Sequence, residues 1–168
     1  MYNQNVFPDP TPYHSAEEDL VKIPGLDGSG KMSKTEGPGN AIFLADEPNT
    51  IRKKIKRAVT DAGPTDKNQP KGEAMQNLFT LMYHIAGKEK YDYFDEAYNN
   101  CTIKYGELKK QLAEDTVQFT EPIRERVEAI YNDTKYLRQV AEKGAEQARE
   151  SAHKTIEEVR NVIGFQQF

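Results

Sequence analysis

The sequence has little of what disulfide cross-linking or membrane insertion requires. It contains one cysteine, Cys101, which excludes an internal disulfide and fits a reducing compartment; we expect this residue to be a small core side chain. No apolar run approaches the roughly 20 residues that a membrane-spanning helix needs. The N-terminus also lacks the basic region followed by an apolar region that marks a signal peptide. We therefore expect a cytoplasmic protein.

A strong positive charge is also absent. The net charge is −4 at pH 7, with 36% apolar and 30% charged residues. Such a chain has no overall attraction to nucleic acid, so any RNA contact must come from a local basic patch. The composition suits a mostly helical protein with a thin core.

Helical periodicity dominates residues 47–168 and predicts about six helices joined by short links. Asp46 is a suitable N-cap for the first helix, with Pro48 in its first turn. A separate helix is expected to start at Thr120-Glu121-Pro122, and Gly144 is a candidate break in the last one. The apolar stripes are Ile51, Ile55, Ala58 and Val59; Met75, Leu78, Phe79, Met82 and Ile85; Tyr91, Phe94 and Tyr98; Leu108 and Leu112; Val127 and Ile130; and Leu137, Val140, Ile156, Val159 and Ile163.

Residues 1–46 differ from the rest of the chain. They are punctuated by prolines and carry too few apolar residues to fold alone. We expect them to be the end of a larger domain or to lie against the bundle. The sequence thus predicts an all-α helical bundle over residues 47–168, preceded by a loop-rich segment over residues 1–46.

The most informative segment is the glycine-rich run of residues 25–39, which contains Lys31-Met32-Ser33-Lys34-Thr35. Two ammonium groups three residues apart can both reach one polyphosphate, and the surrounding glycines supply a hinge. Its first seven residues match the G-x-x-x-x-G-K of a P-loop. However, Met32 occupies the position of the hydroxyl residue that would hold Mg²⁺, and Pro24 and Gly37-Pro38-Gly39 do not suit the required strand and helix. A solvated surface loop is the other simple interpretation.

The order Lys-Met-Ser-Lys-Thr resembles the second signature of class I aminoacyl-tRNA synthetases. Thr35 replaces the usual serine but keeps the hydroxyl. The flanking sequences, from about Val6 to the end of the chain, resemble the tryptophanyl-tRNA synthetase family in particular. The segments that carry this resemblance are residues 23–28 (IPGLDG), 40–44 (NAIFL), 48–54 (PNTIRKK), 58–61 (AVTD), 144–149 (GAEQAR), 158–160 (EVR) and 164–165 (GF).

The resemblance implies a fold and a set of ligands. Residues 47–168 would be the anticodon-binding helical domain, and residues 1–46 would be the end of a nucleotide-binding α/β catalytic domain. The full enzyme would use ATP, bound with Mg²⁺, together with tryptophan and tRNA(Trp), and would be a homodimer.

The resemblance also implies roles for the loop. Lys31 and Lys34 would be catalytic, neutralising charge that develops on the pyrophosphate leaving group of ATP. Ser33 and Thr35 would donate hydroxyl hydrogen bonds to the phosphates. The residues expected close to the adenine are Ile23 and Met32.

The first signature of the family, of His-Ile-Gly-His type, has no match in the chain. The only histidines are His14, His84 and His153, each isolated. We therefore interpret the chain as a C-terminal fragment and expect it to be inactive alone in tryptophan activation. Two alternatives stay open: a fragment of a tyrosyl-tRNA synthetase, and a free-standing helical module that binds RNA or protein.

One local basic patch could contact RNA. Arg52-Lys53-Lys54 and Lys56-Arg57 place five positive charges within six residues. They form either a solvated helix face or a contact with tRNA phosphates or with the nucleotide loop. Exposed bases are read by stacking and edge hydrogen bonds, although most of the tyrosines fall on core-like stripes. The candidate contacts are Tyr83, Tyr91, Tyr93, Tyr98, Tyr131 and Tyr136, with Lys135, Arg138 and Arg149.

Overall fold

A computed structural model of the chain describes residues 6–11, 22–28, 30–37 and 39–165. Across these ranges it contains five α-helices and no strand, which confirms the all-α prediction for the described part of the chain. None of the described helices is long and apolar enough to span a membrane. The helices are α1 (Pro48–Arg57), α2 (Glu73–Ala86), α3 (Lys88–Asn99), α4 (Tyr105–Asn132) and α5 (Thr134–Ile163).

The chain divides into two compact units. The first, residues 21–128, contains the glycine-rich loop, α1 to α3 and most of α4. The second combines residues 1–20 with residues 129–168 and contains α5. The glycine-rich loop therefore packs with helices rather than standing apart. The predicted domain boundary after residue 46 stays a prediction.

The core of the first unit centres on Phe79 of α2, which is fully buried. Its ring meets the edges of Tyr91 and Tyr98 at centroid distances of 5.7 and 6.0 Å. The Lys71 ammonium lies 4.7 and 4.8 Å from the ring centroids of Phe79 and Tyr98 and pairs with Asp95. Other buried members of this core are Leu26, Ile51, Ile55, Ala58, Met75, Leu78, Leu81, Met82, Phe94, Leu108, Leu112, Ala113 and Val117.

The prediction that Asp46 caps α1 is wrong. The N-cap residue is Glu47, whose side chain makes no capping hydrogen bond, and Pro48 is the first helical residue. The Asp46 carboxylate instead accepts from the Phe43 amide (2.9 Å) and from Lys54 Nζ (2.5 Å). It therefore closes the turn before the helix, which is a local alternative that short acidic side chains offer the backbone.

The predicted helix start at residues 120–122 is also wrong, because α4 runs through Pro122 without interruption. Proline cannot donate to the carbonyl of Gln118, four residues earlier. That residue is exposed, so water can satisfy its carbonyl. The buried threonines on the other side donate within the helix, Thr116 Oγ1 to Leu112 O (2.6 Å) and Thr120 Oγ1 to Thr116 O (2.9 Å).

The second unit contains one long helix. α5 continues through Gly144, since a single glycine costs a helix only about 1 kcal/mol. It ends where Gly164 adopts a left-handed conformation (φ 74°), as is common just past a helix C-terminus. No residue of α5 is buried.

Cys101 is exposed, which contradicts its predicted place in a core. It follows the end of α3 with a positive φ of 57°, and its amide donates to Tyr98 O (3.0 Å). This left-handed backbone follows the end of α3, so Cys101 does not continue the helical stripe that contains Tyr98.

Candidate functional site

The Lys-Met-Ser-Lys-Thr loop is held at its base by the core of the first unit. Leu26 is buried, and its amide donates to Asn40 O (3.0 Å). Its own carbonyl accepts from the Val59 amide (2.9 Å), just after α1. Gly28 turns with a φ of 86°, and a Cβ there would lie 3.8 Å from that of Ala74. The loop therefore leaves from and returns to a fixed platform formed with α1 and α2.

Asn40 joins the two arms of the loop. It is only 1% exposed. Its Oδ1 accepts from the Ser33 amide (2.6 Å), and its Nδ2 donates to Asp27 Oδ1 (2.7 Å) and Glu36 Oε2 (3.4 Å). A buried amide with these partners is well satisfied, and losing it would leave polar groups unpaired. This role was not predictable from the sequence, because the burial of one asparagine cannot be read from periodicity.

Met32 points into the loop rather than toward solvent. Its amide donates to Ile23 O (2.7 Å), and its sulfur accepts from the Ile42 amide (3.3 Å). The half-buried side chain packs against the core cluster. This inward turn is the physical reason that position 32 is apolar, and it leaves Lys31 and Lys34 exposed on the outer side.

The two hydroxyl residues lie together on the exposed part of the loop. Ser33 Oγ and Thr35 Oγ1 are 2.9 Å apart, and the Thr35 amide donates to Ser33 Oγ (3.3 Å). The structure thus brings all six predicted site residues into one loop: Ile23, Lys31, Met32, Ser33, Lys34 and Thr35. Two exposed ammonium groups beside paired hydroxyls form a surface suited to a polyphosphate.

Replacing Asn40 with alanine is expected to lower the free energy of unfolding by about 1–3 kcal/mol, because the Ser33 amide and Asp27 lose a buried partner. Urea denaturation measures the loss, and hydrogen exchange should show faster exchange at the Ser33 amide. Asn49→Ala, an exposed site on α1, is the matched control. Equal stability of the two variants with unchanged Ser33 protection would contradict the role given to Asn40.

The basic patch of α1 does not form one face. Lys54 turns inward, where Nζ donates to Ala41 O (2.9 Å) and pairs with Asp46. Arg52 donates from Nε and Nη2 to the two carboxylate oxygens of Glu114 on α4, both at 2.8 Å. This hydrogen bonding lowers the pKa of the Glu114 carboxyl and raises the pKa of the Arg52 guanidinium. The remaining cations of the patch are exposed: Lys53, Lys56 and Arg57.

The sequence reasoning missed basic residues on α4 that face this patch. Lys109 is partly buried, and its Nζ donates to Ala58 O (2.8 Å) at the end of α1. Burial lowers the pKa of the Lys109 ammonium. Lys110 beside it is exposed. The pair Lys109-Lys110 lies far along the chain from α1, so only tertiary packing brings them together.

The candidate RNA-stacking tyrosines separate into two groups. Tyr98 is fully buried and Tyr91 is half-buried in the core. The other four are exposed, so the expectation that most of them lie in the core is wrong: Tyr83, Tyr93, Tyr131 and Tyr136. The three basic candidates on α5 are also exposed: Lys135, Arg138 and Arg149.

The histidines are not brought together in the described residues. His84 and His153 are exposed on α2 and α5, and His153 Nε2 lies 3.1 Å from Glu157 Oε1. His14 falls outside the described ranges. Within those ranges, no group of three histidine, cysteine or acidic side chains is placed to hold a metal ion.

Comparison with known proteins gives four informative likenesses, a family model, a curated relative and two solved structures. The model of the family described as tRNA synthetases class I (W and Y) matches residues 2–121. The tryptophan–tRNA ligase of Porphyromonas gingivalis is 52% identical over 165 residues, which are 98% of this chain and 50% of that protein. The chain therefore spans about half the length of this curated relative.

Two solved structures share the fold. The tryptophanyl-tRNA synthetase of Campylobacter jejuni, solved with ADP and tryptophan, superposes with a TM-score of 0.69 at 24% identity, over 89% of this chain and 45% of that one. The tyrosyl-tRNA synthetase of Aeropyrum pernix superposes with a TM-score of 0.51 at 24% identity, over 70% of this chain and 36% of that one.

Proposed function

Because the chain belongs to the class I tRNA synthetases for tryptophan and tyrosine, we propose that it supplies one half of a tryptophan–tRNA ligase. This half carries the phosphate-binding loop and a tRNA-binding helical part. The observation that carries the proposal is the loop itself: Asn40 and Met32 fix its frame while Lys31 and Lys34 stay exposed. The 52% identity to a tryptophan–tRNA ligase supports the choice of amino acid.

In this function the loop acts on ATP, a substrate that carries its own Mg²⁺. In activation, a carboxylate oxygen of tryptophan attacks the α-phosphorus of ATP, which forms tryptophanyl-adenylate and releases pyrophosphate. Lys31 and Lys34 neutralise the charge that grows on the β- and γ-phosphates as the bond to the α-phosphate breaks. The contribution is electrostatic, and the protein needs no covalent step of its own.

The other loop residues have supporting roles. Ser33 and Thr35 donate hydroxyl hydrogen bonds to the same phosphates. Ile23 and Met32 lie beside the adenine, and their mutual backbone hydrogen bond (2.7 Å) supports this pairing. That bond uses the Met32 N–H and the Ile23 C=O, so it leaves the Ile23 N–H and the Met32 C=O for contacts with the adenine, which we expect to be mainly through the backbone.

The helical part binds tRNA(Trp), with residues 1–46 ending the catalytic domain and residues 47–168 forming the anticodon-binding domain. Its exposed tyrosines and the basic residues of α5 are the candidates for reading unpaired bases. The full enzyme would be a cytoplasmic homodimer. A tyrosyl-tRNA synthetase is the second candidate, since the matching family model covers both amino acids.

Gel-shift or fluorescence titration of the 168-residue chain with tRNA(Trp) and tRNA(Tyr) tests the helical part of this proposal. We expect salt-dependent binding that is stronger for tRNA(Trp). The chain alone should give only background tryptophan-dependent ATP–pyrophosphate exchange. Preference for tRNA(Tyr) would favour the tyrosyl alternative, and failure to bind either tRNA would favour a protein-interaction module.

A further inference from the structure

A groove of about 510 Å³ lies between α1 and the start of α4, within the first unit. Arg52 and Lys56 lie one turn apart on the same face of α1. Across the groove, Gly106, Lys109 and Lys110 are presented by the first turns of α4. The charged residues lining the groove are Arg52, Lys56, Lys109, Lys110 and Glu114.

The groove is strongly positive although the chain is acidic. Glu114 is the one carboxylate among the lining residues that the structure describes, and it accepts both hydrogen bonds from Arg52. Among the described residues, Lys56 and Lys110 have no ion-pair partner within 4.0 Å, and both are exposed. Lys109 is held at the groove wall by its hydrogen bond to the Ala58 carbonyl, which offers no compensating charge. Three lysine charges are therefore concentrated in one concave surface.

The charge and the length of the groove favour a polyanion. Of the eight described residues that line it, four are cationic and one is acidic. From Gly106 to Ala113 the groove follows two turns of α4, about 10 Å at 1.5 Å per residue. Lysines spread over that length can contact more than one phosphate of a chain, and such contacts are the main electrostatic term in nucleic-acid affinity.

We propose that the groove between α1 and α4 binds the phosphodiester backbone of an RNA, using Lys56, Lys109 and Lys110. This inference rests on the proposed function, under which the RNA is a tRNA. The site positions the RNA without reading its bases, because phosphate contacts carry no sequence information. The residues that line it do not include the loop lysines.

The first test removes two lysine charges from the groove. In the full 168-residue chain, Lys56→Gln with Lys110→Gln should weaken binding of tRNA(Trp) and tRNA(Tyr) alike, on the order of tenfold at 0.1 M salt. Each lost phosphate contact should lower the slope of log Kd against log salt by about 0.7–0.9, so the loss of two contacts should lower the slope by about 1.5. The control is Lys67→Gln with Lys88→Gln, two exposed lysines outside the groove. Equal loss in both pairs would mean a general charge effect and would overturn the proposal.

The second test blocks the groove without removing a contact. A Cβ at Gly106 would meet no atom within 4 Å, and a carboxylate in the first turn of a helix is favourable. The Gly106→Glu chain should therefore stay folded, as measured by thermal unfolding, while its binding of both tRNAs weakens at least tenfold. Gln76→Glu adds the same charge in the first turn of α2 at an exposed position and should leave tRNA binding unchanged. Normal RNA binding by Gly106→Glu would contradict the groove.

These measurements separate the groove from the function it rests on. If the unsubstituted chain binds both tRNAs equally and the groove variants bind both more weakly, the proposal that the groove binds RNA is supported and the choice of tRNA(Trp) is wrong. If the chain prefers tRNA(Trp) and the groove variants bind it normally, the groove proposal is wrong and the proposed function is supported. ATP titrated in parallel identifies a nucleotide occupant: reduced ATP binding by the groove variants, with unchanged tRNA binding, would overturn the proposal. A chain that binds no RNA at all would overturn both.

Discussion

Alanine at position 34 is expected to slow tryptophan-dependent ATP–pyrophosphate exchange by about 10²–10³-fold, and alanine at position 31 by a similar factor. The assay uses a chimera in which the half of the Porphyromonas gingivalis ligase not matched by this chain is joined ahead of Met1. Under the proposed function, each lysine stabilises charge that appears only as pyrophosphate leaves. Removing one such electrostatic contact typically costs two to three orders of magnitude.

The kinetic form of the loss is diagnostic. Because the interaction strengthens in the transition state, the effect should fall mainly on kcat, with a smaller change in the KM for ATP. Lys67→Ala removes an exposed lysine from outside the loop and should leave the exchange rate unchanged. Full activity in the Lys31→Ala and Lys34→Ala chimeras would remove the loop from the mechanism.

Phe79→Ala should lower the free energy of unfolding of the chain by about 3–5 kcal/mol, the usual cost of truncating a fully buried aromatic residue. The substitution removes the ring that Tyr91 and Tyr98 contact edge-on and over which Lys71 lies. Small domains are stable by only about 5–15 kcal/mol, so this variant should lose much of its folded population on mild denaturation.

Urea denaturation followed by circular dichroism measures this effect. Phe119→Ala is the control, since Phe119 lies on α4 and is 50% exposed. The Phe119→Ala variant should lose much less free energy of unfolding than the Phe79→Ala variant. Comparable stability losses in the two variants would show that the core is not centred on Phe79.

Helix positions were predictable wherever an apolar stripe reached a shared core. The stripes through Ile51 and Ile55, through Leu78 and Phe79, and through Phe94 coincide with α1, α2 and α3. Pattern alone failed at helix ends and junctions. The run Thr120-Glu121-Pro122 is typical of a helix start. A helix can instead continue through Pro122 if water reaches the Gln118 carbonyl, and only the tertiary structure determines that exposure.

The residues of the candidate site also divide into those that the sequence predicts and those that only packing reveals. The loop was found because its chemistry is written in consecutive residues, Lys31 to Thr35. Asn40, which orders that loop, and Lys109, which faces α1 across the groove, could not be found because their roles come from packing. The five cations of α1 were also predicted as one patch, yet Lys54 turns inward and Arg52 is paired.

The most direct measurement is tryptophan- against tyrosine-dependent ATP–pyrophosphate exchange by the unsubstituted chimera. The proposed function predicts exchange with tryptophan and background rates with tyrosine, while the 168-residue chain alone stays at background with both. Exchange driven by tyrosine would contradict the proposal. So would a folded chimera that is inactive with tryptophan while the Porphyromonas gingivalis ligase, assayed in parallel, is active.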